Sequence, residues 1–100
     1  MQLEQYEFLV NPSYTVFEFD SIGKKGIVRK IVQFSSIAPD IVNLAFGDKC
    51  PTSGKLDDRV ATNNGDPDKV LATVANCVLQ FSNYHPNLLI FAEGSTAART

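Results

Sequence analysis

Asp66-Pro67-Asp68-Lys69-Val70-Leu71-Ala72-Thr73-Val74-Ala75-Asn76-Cys77-Val78-Leu79-Gln80-Phe81 decides the fold class. Asp66 suits an N-cap and Pro67 the first helical position, where a missing N–H costs nothing. Asp68 puts negative charge in the first turn, which the helix dipole favours. Val70, Val74, Cys77, Val78 and Phe81 then recur at helical spacing, flanked by Leu71 and Ala75. Thr73, Asn76, Gln80 and Asn83 fall on the polar side. Leu79 points away from the main stripe and marks a second packing surface. The helix should stop near Tyr84 or His85, because Pro86 disfavours a helical residue before it.

Upstream of this helix the pattern changes to period two. Tyr14–Phe19 is rich in β-branched and aromatic residues, with Thr15, Phe17 and Phe19 on one face. Gly26–Phe34 is the next strand, and the glycine-containing link Ser21–Gly26 makes the pair a hairpin. Ser35–Asp40 is a connector containing Pro39. Ile41–Phe46 is a third strand, and Lys55–Thr62 a weaker fourth that pairs antiparallel with its predecessor. A short edge strand at Tyr6–Val10 precedes them all and ends at the turn signal Asn11-Pro12-Ser13.

Downstream, Leu88-Leu89-Ile90-Phe91-Ala92 is a continuous apolar run, the pattern of a central strand buried on both faces. It follows a helical crossover, so it should lie parallel to one neighbour, with a right-handed connection. The expected architecture is α+β: a mostly antiparallel sheet of about five strands with one main helix, in the order β-β-β-β-α-β. All of residues 1–100 form one domain in this reading. One helix covers one sheet face, while Tyr14, Val16, Ile27 and Ile31 make the other face partly apolar. A second copy or another protein would cover it.

Composition narrows the function classes. The chain has 100 residues, 44% of them hydrophobic and 20% charged, which is globular rather than disordered. A net charge of -2 disfavours general nucleic-acid binding, which leans on a basic surface, without excluding it. Cys50, Cys77 and His85 are too few for a four-ligand structural zinc site. The start of the chain lacks the charge and apolar core of a secretory signal, and no apolar run reaches the ~18 residues of a membrane span. A cytoplasmic protein with free thiols, no cofactor, no metal and no membrane is expected.

Three segments invite a chemical reading. Glu93, Gly94, Ser95, Thr96 and Arg99 follow a strand, as ligand loops do in open sheets. Glycine allows close approach, hydroxyls hold an anion, and Arg99 would clamp phosphate or carboxylate. The segment lacks the Gly-Lys-Ser/Thr of a Walker motif, and the plainer reading is a strand end leaving the core. Asn63, Asn64, Gly65 and Asp66 read first as a tight turn with a helix cap. Asp57, Asp58, Asp66 and Asp68 lie nearby, but their spacing is not that of an EF-hand. Lys24, Lys25, Arg29 and Lys30 are the one candidate nucleic-acid patch, and a solvated hairpin tip explains them more simply. His85 has no evident catalytic partner, Cys77 sits on the core stripe, and Cys50 has no activating neighbour in sequence.

The segments at 13–19 (Ser-Tyr-Thr-Val-Phe-Glu-Phe), 43–48 (Asn-Leu-Ala-Phe-Gly-Asp), 63–66 (Asn-Asn-Gly-Asp), 69–75 (Lys-Val-Leu-Ala-Thr-Val-Ala) and 92–100 (Ala-Glu-Gly-Ser-Thr-Ala-Ala-Arg-Thr) occur in that order. Together they resemble a family of short, uncharacterised bacterial proteins of unknown function, over residue 13 to the end. The resemblance implies a compact α+β domain in a bacterial cytoplasm, and it carries no activity. It also implies a further C-terminal element, rich in basic and aromatic residues, beyond Thr100.

The residues therefore lean away from an enzyme. They favour a non-enzymatic interaction module that forms a homodimer or binds a protein partner. The alternatives are a phosphate-ligand or RNA-binding protein or enzyme using residues 93–100, and a component of a bacterial toxin–antitoxin or defence pair.

Overall fold

The computed structural model describes residues 4–50, 52–57 and 64–92. The fold is α+β, as the sequence pattern indicates. Strands β1 (Leu9–Val10), β2 (Val16–Gly23), β3 (Gly26–Ala38), β4 (Ile41–Lys49) and β5 (Leu56–Asp57) form an antiparallel run in sequence order. Helix α1 (Pro67–Tyr84) follows, and β6 (Leu89–Phe91) returns parallel to β4. The weaker fourth strand expected at 55–62 is β5 where it is described; residues 58–62 lie outside the described residues.

Period two assigns every side chain of the sheet to one of two faces. Phe17 pairs with Val32, Val32 with Phe46, and Phe34 with Leu44, so these lie together under α1. Phe17, Phe19, Val32, Phe34, Val42, Cys77 and Phe81 are the buried centre. Phe34 and Phe81 stack with centroids 4.0 Å apart, which joins sheet to helix at the middle of the core. The helical stripe behaves as its spacing requires, with Val70, Val74 and Val78 packed at the margin. Thr73 departs from expectation: it is fully buried rather than on the polar side. Its hydroxyl donates to the Lys69 carbonyl and accepts the Tyr6 N–H, so both hydrogen-bonding capacities are used.

The hairpins are longer than the apolar runs that announced them. Gly23 pairs with Gly26 across a two-residue turn, Lys24-Lys25. β3 continues through Ser35 to Ala38, where a connector was expected, with a bulge between Ser36 and Ala38. Those residues outrun the helix and are solvated, so polar side chains suit a strand there.

The largest correction concerns residues 88–92. β6 is not central and not buried on both faces: Leu89 is 67% and Phe91 50% exposed. Within β6 only Ile90, in register with Val42, turns to the core, joined by Leu88 just before the strand, and among the described residues β6 pairs with β4 alone. A run of apolar residues records hydrophobicity, not which side is covered. Tyr14 also departs from the open face assigned to it; it stacks on Tyr84 of α1, with centroids 4.5 Å apart.

The chain enters α1 through a tight contact with the β2–β3 turn. Asn64 is 1% exposed. Its amide nitrogen donates to the carbonyls of Ser21 and Gly26, and its amide oxygen accepts the Lys25 N–H. Its own carbonyl accepts the Lys24 N–H. A Cβ on Gly23 would stand 2.0 Å from that carbonyl oxygen, so only glycine fits. Gly26 has φ of +87°, but a Cβ there would point into open space, with nothing within 4 Å.

Two alanine substitutions three residues apart should therefore differ sharply. Gly23→Ala is expected to cost about 3 kcal/mol or more, because backbone must move. Gly26→Ala should cost only the ~1–2 kcal/mol of a left-handed residue. Asn64→Ala strands buried backbone groups and should lose about 3 kcal/mol. Urea denaturation of the three variants measures all of this, and equal losses for the two glycines would refute the contact.

Candidate functional site

Polar groups collect at the end of the core beneath the start of α1. Ser21, Lys30, Asp48 and Asn64 are all buried there, and Tyr6 and Asp66 are half-buried. The two-residue period explains their placement. Lys30 shares a face with Val28, Val32 and Phe34, and Asp48 shares one with Val42, Leu44 and Phe46. Lys30 and Asp48 are direct cross-strand partners, and their side chains form an ion pair at 2.5 Å. The Lys30 ammonium also lies 5.9 Å from the Phe46 ring centroid.

Asp66 occupies the N-cap of α1, but its side chain makes no capping bond to the helix. The carboxylate turns to two hydroxyls instead, those of Ser21 (2.6 Å) and Tyr6. Burial pushes the Asp66 carboxyl up, but these two hydrogen bonds and the nearby Lys30 charge outweigh it and hold it below the usual range. Burial and the bond to Asp66 push the Tyr6 phenol above its ordinary value. The Tyr6 ring lies between Phe19, stacked at 5.7 Å, and the Lys69 ammonium at 4.3 Å. Among the described residues no buried side-chain nitrogen or oxygen lacks a hydrogen-bond partner. The cluster is thus a satisfied network that ties the segment of residues 4–8, the sheet and the helix together.

Among the described residues, the sequence candidates are dispersed by this structure. Glu93, Gly94, Ser95, Thr96 and Arg99 lie outside the described residues, as do Asn63 and Asp58. Asn64 faces the β2–β3 turn, Gly65 is exposed at φ +84°, and Asp66 turns inward. The basic cluster does not form one patch. Lys24 and Lys25 are exposed at the turn, Lys30 is inside, and Arg29 is on the opposite face bonded to Glu18 and Asp20. Cys77 is fully buried and its thiol is pushed up to about 12 by desolvation, so it is no nucleophile. His85 packs on Phe81, and its Nε2 faces the Ser13 carbonyl at 2.8 Å, which requires that nitrogen to donate.

The face away from α1 has a different character. By register it carries Leu9; Glu18, Asp20 and Ile22; Ile27, Arg29 and Ile31; Lys49; Leu89 and Phe91. Arg29 bonds Asp20 directly across the pair and Glu18 diagonally, and Lys49 reaches Glu18 across the row of Ile31. Gly47, the neighbour of Ile31 on β4, adds no side chain to that row. Ile31 is consequently 3% exposed on a face where no described element packs. The expectation of an apolar second face holds at its margins, while its middle is a neutralised ionic net. Sequence reading missed this net because Glu18, Asp20, Arg29 and Lys49 meet only through strand register.

Acid titration distinguishes the Asp66 network from surface charge. A carboxyl held low in the folded state contributes stability that is present above its unfolded pKa and lost as pH falls through the folded one. Asp66→Asn should flatten part of the acid limb below about pH 4, followed as the denaturation midpoint against pH. Lys30→Ala should cost about 3–5 kcal/mol by removing the cation that faces the buried Asp48 carboxylate. Arg29→Ala, at a half-exposed pair, should cost under about 1 kcal/mol. Equal costs for Lys30 and Arg29 would mean that Lys30 is as solvated as its neighbour.

No curated protein and no solved structure matches the chain. The model of a family of unknown function (DUF6934) matches residues 2–100, and the chain belongs to that family.

Proposed function

We propose that this domain is a non-enzymatic interaction module that docks through the sheet face turned away from α1, with a second copy of the chain as the partner. One observation carries the reading. Of the nine exposed large apolar side chains among the described residues, Leu9, Ile22, Ile27, Leu89 and Phe91 belong to this face by register. Ile22 and Ile27 form a direct cross-strand pair exposed by 61% and 70%, and water gains nothing from either.

Charge supports self-association. Acidic groups stand on β2, and basic groups on β3 and β4. A two-fold axis running along β3 lays the β2 of each copy over the β4 of the other, which sets Asp20 near Lys49, while the two Arg29 side chains meet with their own Asp20 and Glu18 still bound. The pairs already formed within each chain keep the net charge of this set at zero, which lowers the cost of removing it from water. The chemistry of the other face supports the non-enzymatic half of the reading: Asp66, Cys77 and His85 are each held in packing or hydrogen bonds.

Light scattering behind size exclusion, over a concentration series, tests this reading. The wild-type chain should approach twice its monomer mass. Ile27→Asp and Phe91→Asp, which alter exposed residues only, should each weaken association at least about tenfold, the effect of a residue worth about 1.4 kcal/mol. A wild-type monomer at every soluble concentration would overturn self-association, and a dimer indifferent to both substitutions would overturn the face.

A further inference from the structure

The outer edge of β2 is the second surface of interest. Its even-numbered residues turn their backbone groups away from β3: the Val16 carbonyl accepts the Asn11 N–H, and Glu18 pairs with Leu9 of β1. β1 could run on in the same register, which would set Glu7 opposite Asp20 and Gln5 opposite Ile22. It does not, since pairing ends at Leu9. Glu7 against Asp20 would place two carboxylates side by side on one face, an unfavourable cross-strand pair. The strap of residues 4–8 peels inward instead, and the Tyr6 hydroxyl takes the vacated position. It accepts the Ile22 N–H at 3.0 Å and also meets the Ile22 carbonyl at 3.2 Å. With its one proton given to Asp66, the phenol oxygen replaces a strand's acceptor at the Ile22 N–H.

We infer that the strap is a removable guard on the β2 edge, and that the edge, once uncovered, pairs antiparallel with the β2 edge of a second copy. Open strand edges pair with other chains unless something blocks them. Here the guard is held by Tyr6 to Ile22 and Asp66, by the Tyr6 N–H to Thr73, by the two-residue β1, and by the packing of Tyr6 on Phe19 and Phe8 on Phe17. Charge selects the register of the open form. Outward residues must pair with outward residues, which are the even ones. Registers that set Glu18 or Asp20 against the same residues of the other copy are repulsive. Registers centred on Ser21 or Ile22 avoid this and bring Lys24 of one turn opposite Glu18 or Asp20 of the other copy. This edge is separate from the face proposed above, and either surface can fail without the other.

Tyr6→Phe keeps the ring against Phe19 and removes the plugging oxygen together with its bond to Asp66, which keeps its bond from Ser21. Amide exchange by NMR should show Ile22 protected in the wild type and roughly tenfold faster in the variant, the scale of one hydrogen bond. Native mass spectrometry of the variant should show an added association step that survives Phe91→Asp and is lost in Tyr6→Phe/Lys24→Glu. Unchanged Ile22 exchange in Tyr6→Phe would overturn the guard. Faster exchange with no new species, or with a species indifferent to Lys24→Glu, would overturn β2–β2 pairing. Should Tyr6→Phe fold poorly, the wild type still decides: an Ile22 amide that exchanges as fast as an unstructured one means that Tyr6 guards nothing.

Discussion

Asn64 is where the sheet and the helix become one structure. Its side chain and carbonyl together engage Ser21, Lys24, Lys25 and Gly26. That contact fixes the end of the β2–β3 hairpin and, two residues later, the start of α1. Asp66 then meets Ser21, and Tyr6 meets Asp66, because the helix begins there and nowhere else. The geometry works only at a backbone without a Cβ, which Gly23 supplies. A buried amide with all its bonds made adds little net stability over water, but it penalises every arrangement in which it is unmade. Its main effect is to exclude other placements of the helix.

The same economy governs charge. Arg29 and Lys30 are neighbours in sequence and opposite in fate, because successive strand residues face opposite ways. Lys30 goes under the helix, where Asp48 must meet it. Arg29 goes to the open face, where Glu18 and Asp20 share it at partial exposure. Burying the first pair gains little over an apolar pair of the same size. It does fix which residue of β3 faces which residue of β4, since a slip of one residue would bury Arg29 and expose Val32. The inner pair is therefore a register marker for the two longest strands.

Much of the fold is legible in the chain. The helix announces itself through Asp66, Pro67 and a five-member stripe, and the hairpins through Gly23, Gly26 and alternating runs. What fails does so for identifiable reasons. The pattern puts residues 88–92 at the centre because apolarity cannot say whether one or both faces are covered. It puts Thr73 outside because the polar atom is satisfied by a residue 67 positions away in sequence, beyond any local pattern. Proximity groups Lys30 with Lys24 and Lys25, although parity with Val28, Val32 and Phe34 already points inward. The ionic net of Glu18, Asp20, Arg29 and Lys49 needs strand order as well as parity, and strand order is not written in one sequence. The ligand reading of Glu93 to Arg99 rests on a strand end alone, and those residues lie outside the described ones.

The open face and the guarded edge follow from one shortage. A single helix of 18 residues spans about 27 Å along its axis and covers one side of the sheet. The chain has no second element among its described residues for the other side, so it neutralises the middle with ion pairs and leaves apolar residues at the margin. It also has too short a first strand to pair the whole β2 edge, so a tyrosine hydroxyl completes it. These two solutions differ in kind. Ion pairs on the face remain where they are when a partner arrives, and they can be buried as they stand. The hydroxyl on the edge competes for the same backbone groups that a partner strand would use. A partner can therefore settle on the face without any local rearrangement, whereas the edge is open only when the strap has moved. On the proposed reading the face is the surface suited to constant association, and the edge the one suited to control.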